Sequence, residues 1–284
     1  MRYYSPLRYP GGKAKIAPFM QKVISVNHLS DGIYVEPFAG GAGTALSLLL
    51  EEYVHTIILN DIDRSIYAFW YSILNYTDEF CSLIESSPLT ISEWRRQKEI
   101  QKEKETADLL CLGFSTFYLN RTNRSGILDG GVIGGINQTG KWKIDARFNK
   151  SELIQRIRRI ANYKNRIQVY NLDAIEFIRE VIIPLPKKTL IYFDPPYYNK
   201  GPWLYINHYK PEDHQHLKKV IKENIIHHWI VTYDNTPEIK DLYSEFETRL
   251  YSLNYSAANN GKGCELMFFS PGCVIPDNSM VTTI

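Results

Sequence analysis

Apolar positions in this chain fall into two kinds of run. Short runs rich in β-branched and aromatic residues stop at a polar or turn-forming residue: Ile33–Val35 before Glu36-Pro37, Ile57–Leu59 before Asn60-Asp61, Ile167–Tyr170 before Asn171, Leu190–Phe193 before Asp194, and Trp229–Tyr233 before Asp234. Runs of that length and composition read as buried strands. Between them the apolar residues recur with helical spacing, predicting helices over about 14–26, 44–52, 64–76, 107–118, 151–164 and 212–224. A more charged helical stretch of mixed sign begins at Ser92. Alternating strands and helices predict an α/β fold around a Rossmann-like sheet. Two late runs, 246–251 and 266–269, read as an antiparallel pair closing that sheet.

The run ending at 193 carries the most chemistry. Leu190-Ile191-Tyr192-Phe193 leads straight into Asp194-Pro195-Pro196-Tyr197. Proline cannot donate to a sheet ladder, so the strand must end there. Asp194 and Tyr197 are thereby set at the carboxyl edge of the sheet, where open α/β folds bind ligands. Two successive prolines leave carbonyl oxygens with few competing N–H groups. A carboxylate, bare carbonyls and a flat ring suit a planar heterocycle with an exocyclic amine. Asp194, Pro195, Pro196 and Tyr197 are the candidate catalytic residues.

A second site signal lies at the first βα turn, Glu36-Pro37-Phe38-Ala39-Gly40-Gly41-Ala42-Gly43-Thr44. Glycines there let a ligand approach the backbone, but their spacing is not the one that cradles a pyrophosphate. The acid after the second strand, Asp61, is placed to accept from a ribose diol; Asp63 can instead cap the next helix. A ribose without a pyrophosphate points to S-adenosylmethionine rather than NAD. Asp173, after the 167–170 strand, is placed to accept from a purine amine or to cap a helix. Upstream, Pro10-Gly11-Gly12-Lys13 forms a turn before a helix, where a lysine can hold an anion or stand in solvent.

Composition changes over 77–165. Leu119-Asn120-Arg121-Thr122-Asn123-Arg124-Ser125 offers side chains suited to base edges and to phosphates alike. The glycine-rich stretch 129–142 that follows reads as an excursion ordering on a partner, or else as a surface hairpin. The helix over 151–164 is amphipathic and basic, and its arginines either track a phosphate backbone or form a solvated face.

The bulk numbers constrain little of this. A chain of 284 residues fits one large domain or a core domain with an insert. With 33 basic and 31 acidic residues the net charge is +2, so any basic surface must come from segregated charge. The four cysteines form no Cys-x-x-Cys pair and read as reduced thiols of a cytoplasmic protein. No apolar run approaches a membrane span, and His214, His216, His227 and His228 lack partners in metal spacing and read as surface residues.

Taken in order, Leu7–Lys13, Glu36–Thr44, Leu59-Asn60-Asp61, Leu119-Asn120-Arg121 and Asp194–Tyr197 resemble the D12 class of DNA adenine-N6 methyltransferases, the family of the bacterial and phage Dam enzymes. The resemblance implies a Rossmann-like S-adenosylmethionine-dependent catalytic domain, here 1–76 and 166–284, with a mostly helical target-recognition subdomain, here 77–165, inserted in it. It implies that Tyr9, Lys13, Asp61 and Asp194 hold the cofactor; Glu36, Pro37, Phe38, Gly40, Gly43 and Asp173 join them as cofactor candidates from their positions at the first turn and the strand ends. Asn120, Arg121, Asn123, Arg124 and Ser125 become the candidate DNA contacts. The implied reaction is methylation of adenine N6 in a specific double-stranded sequence, with base flipping and no metal. A cognate restriction endonuclease acting separately would be a companion, not a subunit. The Asn-Arg element continues as Thr122-Asn123-Arg124-Ser125-Gly126-Ile127, unlike many Dam enzymes, so their GATC specificity is not carried over. Rival readings are a methyltransferase of cytosine N4, RNA or a protein amide, and a catalytically silent DNA-binding relative. A dinucleotide-dependent dehydrogenase is disfavoured by the glycine spacing.

Overall fold

The computed structural model describes residues 4–8, 13–198, 209–254, 262–277 and 281–283. In chain order the strands are β1 (Ile33–Glu36), β2 (Thr56–Asn60), β3 (Ile167–Tyr170), β4 (Thr189–Phe193), β5 (His228–Asp234), β6 (Glu247–Asn254), β7 (Lys262–Phe269) and β8 (Val281–Thr283). The helices are α1 (Ala17–Val26), α2 (Gly43–Leu50), α3 (Arg64–Asn75), α4 (Thr77–Ser86), α5 (Ile91–Lys102), α6 (Leu109–Thr122), α7 (Lys150–Ala161), α8 (Ala174–Phe177), α9 (Pro211–Asn224) and α10 (Pro237–Leu242). No helix among the described residues is long and apolar enough to cross a membrane.

The strands form one sheet in the order β3-β2-β1-β4-β5-β7-β6-β8. β1 pairs in parallel with β2 and β4, and β4 in parallel with β5. β7 runs antiparallel to β5 and β6, and β6 antiparallel to β8. The order reverses between β1 and β4, so the crevice at their carboxyl ends is the switch point of the sheet. β4 is buried along its whole length, which explains why it reads as a continuous apolar run instead of an alternating one. The late antiparallel pair is as expected, and β8 adds an edge strand that the sequence pattern does not announce.

The chain divides into two compact units. The first comprises residues 1–15, 40–47 and 61–171. Its core is aromatic: Phe69, Phe80, Phe114, Phe117 and Phe148 contact one another edge-on or stacked, with centroids 5.3–6.1 Å apart in the closest pairs. Gly113 brings α6 against α3, because a Cβ there would sit 2.4 Å from the Ala68 carbonyl oxygen. Asp63 caps α3 by accepting from the Ser65 N–H at 3.0 Å. The second unit comprises 16–39, 48–60 and 172–284 and holds seven of the eight strands. There α1 lays Phe19 edge-on to Phe269 of β7.

The stretch after α6 forms turns closed by a bridge, in line with the surface-hairpin alternative, and one expectation is corrected at the histidines. Asn123 and Val132 form a bridge, the Ile133 N–H donates to the Thr122 carbonyl at 2.8 Å, and the Gln138 amide bonds the Ile133 and Gly135 carbonyls. Gly134 and Gly135 take φ of +87° and +76°, so the glycines serve these turns. His214 and His227 are buried, not on the surface. His214 Nδ1 lies 2.9 Å from the Tyr233 hydroxyl, and His227 Nε2 lies 2.9 Å from the Leu185 carbonyl oxygen. α4 and α10 are helices that the sequence reading does not name: Tyr76 breaks the helix at φ −129° before α4 restarts, and Thr236 caps α10.

Candidate active site

In the second unit the carboxyl edge of the parallel strands gathers acids. Glu36 ends β1, Asp194 follows β4 and Asp234 ends β5. The register Val35↔Ile191 and Phe193↔Val231 sets Asp194 just past the end of β1 on one side and level with Thr232 on the other. The Thr232 hydroxyl donates to Asp194 Oδ1 at 2.9 Å. Its oxygen lies 2.8 Å from the Tyr192 hydroxyl. Since the single Thr232 proton goes to Asp194, Tyr192 donates to Thr232, and a buried chain of hydroxyls ends on the carboxylate. The strand end therefore fixes both the position and the rotamer of Asp194.

The neighbouring groups are held as firmly. Pro195, Pro196 and Tyr197 are buried, and the Tyr197 hydroxyl donates to Glu265, a buried acid on β7. Asp234 accepts from the Tyr198 N–H at 2.9 Å, anchoring the chain just past the Pro-Pro turn. Tyr34 lies within β1, and its phenol is pushed well above the ordinary tyrosine range by burial, then by the charges of Glu36 and Asp194. Asn60, at the end of β2, pins the loops that flank this edge. Its side-chain amide donates to the Pro37 and Leu172 carbonyls at 3.0 Å, and its oxygen accepts from the Leu172 N–H at 2.9 Å. Phe38 meets Tyr209 edge-on at 6.0 Å. Asp173 is exposed and caps α8, accepting from the Ile175 N–H at 2.8 Å.

In the first unit the glycine-rich turn and the acid after β2 are joined directly. Asp61 Oδ2 accepts from the Gly40 N–H at 2.9 Å and Oδ1 from the Asp63 N–H at 3.0 Å. Gly40 and Ala42 both take φ of +46°, the left-handed region that the turn requires. The Gly40 carbonyl accepts from the Trp70 indole at 2.9 Å. Burial, and secondarily the charge of Asp63, push the Asp61 carboxyl up to about 7, against the opposing pull of the two N–H donors. Of the other residues singled out near the N-terminus, Tyr9 lies outside the described residues, and Lys13 opens a short 3-10 helix, Lys13–Ile16.

The Asn-Arg element of the first unit is largely turned inward. Asn120 is buried; its Oδ1 accepts from the Arg8 N–H at 2.7 Å, and its Nδ2 donates to the Arg8 and Gly126 carbonyls at 2.7 and 2.9 Å. Asn123, also buried, accepts from the Trp94 indole at 2.6 Å and donates to the Ile127 and Leu128 carbonyls. Both amides thus hold the backbone that presents the following turn. Arg124 and Ser125 are exposed there, Ser125 at φ +57°. Arg124 lines a hollow with Ile133, Lys141 and Trp142, whose indole is 64 % exposed. Lys141 and Trp142 are not singled out by the sequence reading, although an exposed tryptophan beside a lysine in a glycine-rich stretch is a usable signal. Thr232, Tyr192, Glu265 and Asn60 are also missed; a position at the end of a strand hints at Asn60, and nothing local marks Thr232 or Glu265, which lie within β5 and β7.

The family model for the D12 class N6 adenine-specific DNA methyltransferases matches residues 9–257. The chain belongs to that family. Membership makes methyl transfer its activity. A search of curated protein sequences returns no match. Among solved structures the D12 chain is similar to a candidate RNA methyltransferase from Pyrococcus horikoshii, at 10% identity over 93% of this chain and 85% of that one, with a TM-score of 0.42. It is similar to the rRNA methyltransferase aviRa from Streptomyces viridochromogenes, at 12% identity over 92% and 86% of the two chains, with a TM-score of 0.37. A third is the tRNA methyltransferase TrmK of M. capricolum bound to S-adenosyl-homocysteine, at 6% identity over 87% and 66%, with a TM-score of 0.35.

The residues of this D12 member fit the nucleoside of a methyl donor. Among the described residues two backbone donors oppose the burial of the Asp61 carboxyl, and a vicinal diol would bring two more. Among the described residues no group of three or more His, Cys, Asp or Glu side chains is placed to hold a metal ion.

Proposed function

We propose that this chain methylates N6 of adenine in a specific sequence of double-stranded DNA, using S-adenosylmethionine and a flipped-out base. When bound, the cofactor supplies a methyl group on a sulfonium, an electrophile that needs no metal. Asp61 would hold the ribose diol, and the turn Gly40–Gly43 would let the nucleoside approach the backbone. Glu36, Pro37, Phe38 and Asp173 are assigned to the same cofactor from their positions in the sequence motifs.

The observation that carries the reading is Asp194, held by Thr232 at the switch-point edge and followed directly by the Pro195 carbonyl. The adenine amine is a poor nucleophile because its lone pair is delocalised into the ring. Asp194 and the Pro195 carbonyl accept its two N–H groups, drawing the nitrogen toward tetrahedral geometry and freeing the lone pair. Asp194 then stabilises the positive charge that develops on that nitrogen. Pro196 rigidifies the turn, and Tyr197, oriented through Glu265, stacks on the base. The base must leave the duplex to reach these groups, at a cost of a few kcal/mol. We assign the 77–165 segment to target recognition, with Arg124 and Ser125 presented by the turn that Asn120 and Asn123 hold.

Long-read sequencing of genomic DNA from a methylation-null host expressing the chain tests this. One sequence motif carrying N6-methyladenine is expected with the wild type and none with Asp194→Ala. Unmethylated DNA in the wild-type strain, with purified protein that still binds S-adenosylmethionine, would move the methyl acceptor to another amine.

A further inference from the structure

In the second unit one buried side chain gathers rings from three parts of the active edge. His214 lies near the start of α9 and is fully buried. Three tyrosines pack on its imidazole, with centroids 5.2 Å away for Tyr198 and 5.3 Å away for Tyr209 and Tyr233. Tyr198 directly follows Asp194-Pro195-Pro196-Tyr197, and its N–H donates to Asp234. Tyr209 meets the edge of Phe38, in the turn after β1. Tyr233 follows Thr232, the residue that holds Asp194.

Packing alone does not call for a histidine here. A phenylalanine would touch the same rings and bury no polar atom. Instead Nε2 is buried with no hydrogen-bond partner among the described residues, which costs stability. The other nitrogen gives a reason. Nδ1 lies 2.9 Å from the Tyr233 hydroxyl, and either partner can supply the proton. That bond stops the imidazole from turning and fixes the faces it offers to Tyr198 and Tyr209. A phenyl ring would have no such stop. Burial lowers the imidazole below the ordinary histidine value, against the opposing charges of Asp234 and Asp213, so the ring stays neutral at pH 7.

We propose that His214 is a positioning residue for methyl transfer, tying the turn after β4 to the turn after β1 through Tyr198 and Tyr209. This rests on the reading of Asp194 as the acceptor of the adenine amine. In that reading the base is held after β4, while Glu36, Pro37 and Phe38 serve the methyl donor after β1. The reacting atoms are then brought together by two separate turns, and their alignment depends on what joins those turns. Loosening the tie costs rate and not affinity, because each ligand keeps its own contacts.

The test is single-turnover methyl transfer to unmethylated genomic DNA by the wild type, His214→Phe, Tyr233→Phe and the double variant. Affinities for S-adenosylmethionine and for the same DNA are measured alongside. His214→Phe should lower the saturated rate about tenfold and leave both affinities within about twofold. Tyr233→Phe removes only the hydroxyl and should do the same, and the double variant should be no slower than either single one. Should His214→Phe fold poorly, Tyr233→Phe carries the test. Wild-type rates in the variants would overturn the proposal, as would losses that multiply in the double variant. Equal losses of rate and of both affinities would overturn it in favour of packing alone. A wild type that leaves the DNA unmethylated would instead remove the reading of DNA as the acceptor, a result that involves no variant.

Discussion

Thr232 offers the sharpest test of how the strand edge works. Thr232→Val replaces the hydroxyl by a methyl of nearly the same size in a fully buried position, so packing is kept and one proton donor is lost. Two contacts go with it: the 2.9 Å bond to Asp194 and the 2.8 Å contact with Tyr192. A hydrogen bond to a charged group contributes about 1.5–3 kcal/mol. Part of that loss appears as stability, because the Tyr192 hydroxyl, buried in β4, loses this acceptor. The rest appears at Asp194, whose carboxylate loses a donor that favours its charged form and fixes its rotamer. If about 1.4 kcal/mol falls on the transition state, the methyl-transfer rate drops about tenfold. The carboxyl also moves upward by about one pH unit for each 1.36 kcal/mol of lost preference for the charged form. Single-turnover methyl incorporation, measured from pH 5 to 9 with a thermal melt in parallel, reads all three effects. The expected result is a reduced rate at every pH, an acid limb displaced to higher pH, and little change in cofactor KM. Thr232→Ser should recover most of the rate, since it restores the hydroxyl. A Val variant with the wild-type rate and acid limb would refute the positioning role, whatever its melting temperature.

Two further expectations follow from other residues. Asp61, raised to about 7, is mostly protonated in the folded chain below that pH, so S-adenosylmethionine binding should weaken about tenfold from pH 8 to pH 6. Asp61→Asn should flatten this titration in calorimetry. A carboxyl raised above its unfolded value contributes stability at low pH that is lost as pH rises toward 7, so the wild-type melting temperature should carry a fall between about pH 4 and 7 that the Asn variant lacks. Asn120→Leu removes three hydrogen bonds at a buried site and leaves the Arg8 and Gly126 backbone groups unmatched. It should lower stability by about 3 kcal/mol in urea unfolding, where an exposed DNA-contact residue would change stability by less than about 0.5 kcal/mol.

Asn120 also marks where sequence reading meets its limit. The residue type and neighbourhood suit base recognition, yet the partners it finds, at Arg8 and Gly126, are backbone groups, one of them 112 residues away in the chain. The histidines fail for the same reason, since His214 is buried by packing against Tyr198, Tyr209 and Tyr233 of other elements. The glycine-rich stretch after α6 looked structureless because its order comes from single hydrogen bonds and turns, which leave no periodicity.

The chain alone determined the strands that end in acids, the turn at Gly40–Gly43, the Asp194–Tyr197 edge and the family to which these motifs point. Each is encoded locally: an apolar run has a length, proline lacks an N–H, and glycine tolerates a left-handed φ. Tertiary structure alone decided what those groups lean on. Thr232 reaches Asp194, Glu265 holds Tyr197 and Asn60 pins the loops at Pro37 and Leu172 because parallel and antiparallel pairing bring distant strand ends to one edge. Pairing partners depend on register and topology, which no window of the sequence contains, so the candidate reacting groups were legible and their supports were not.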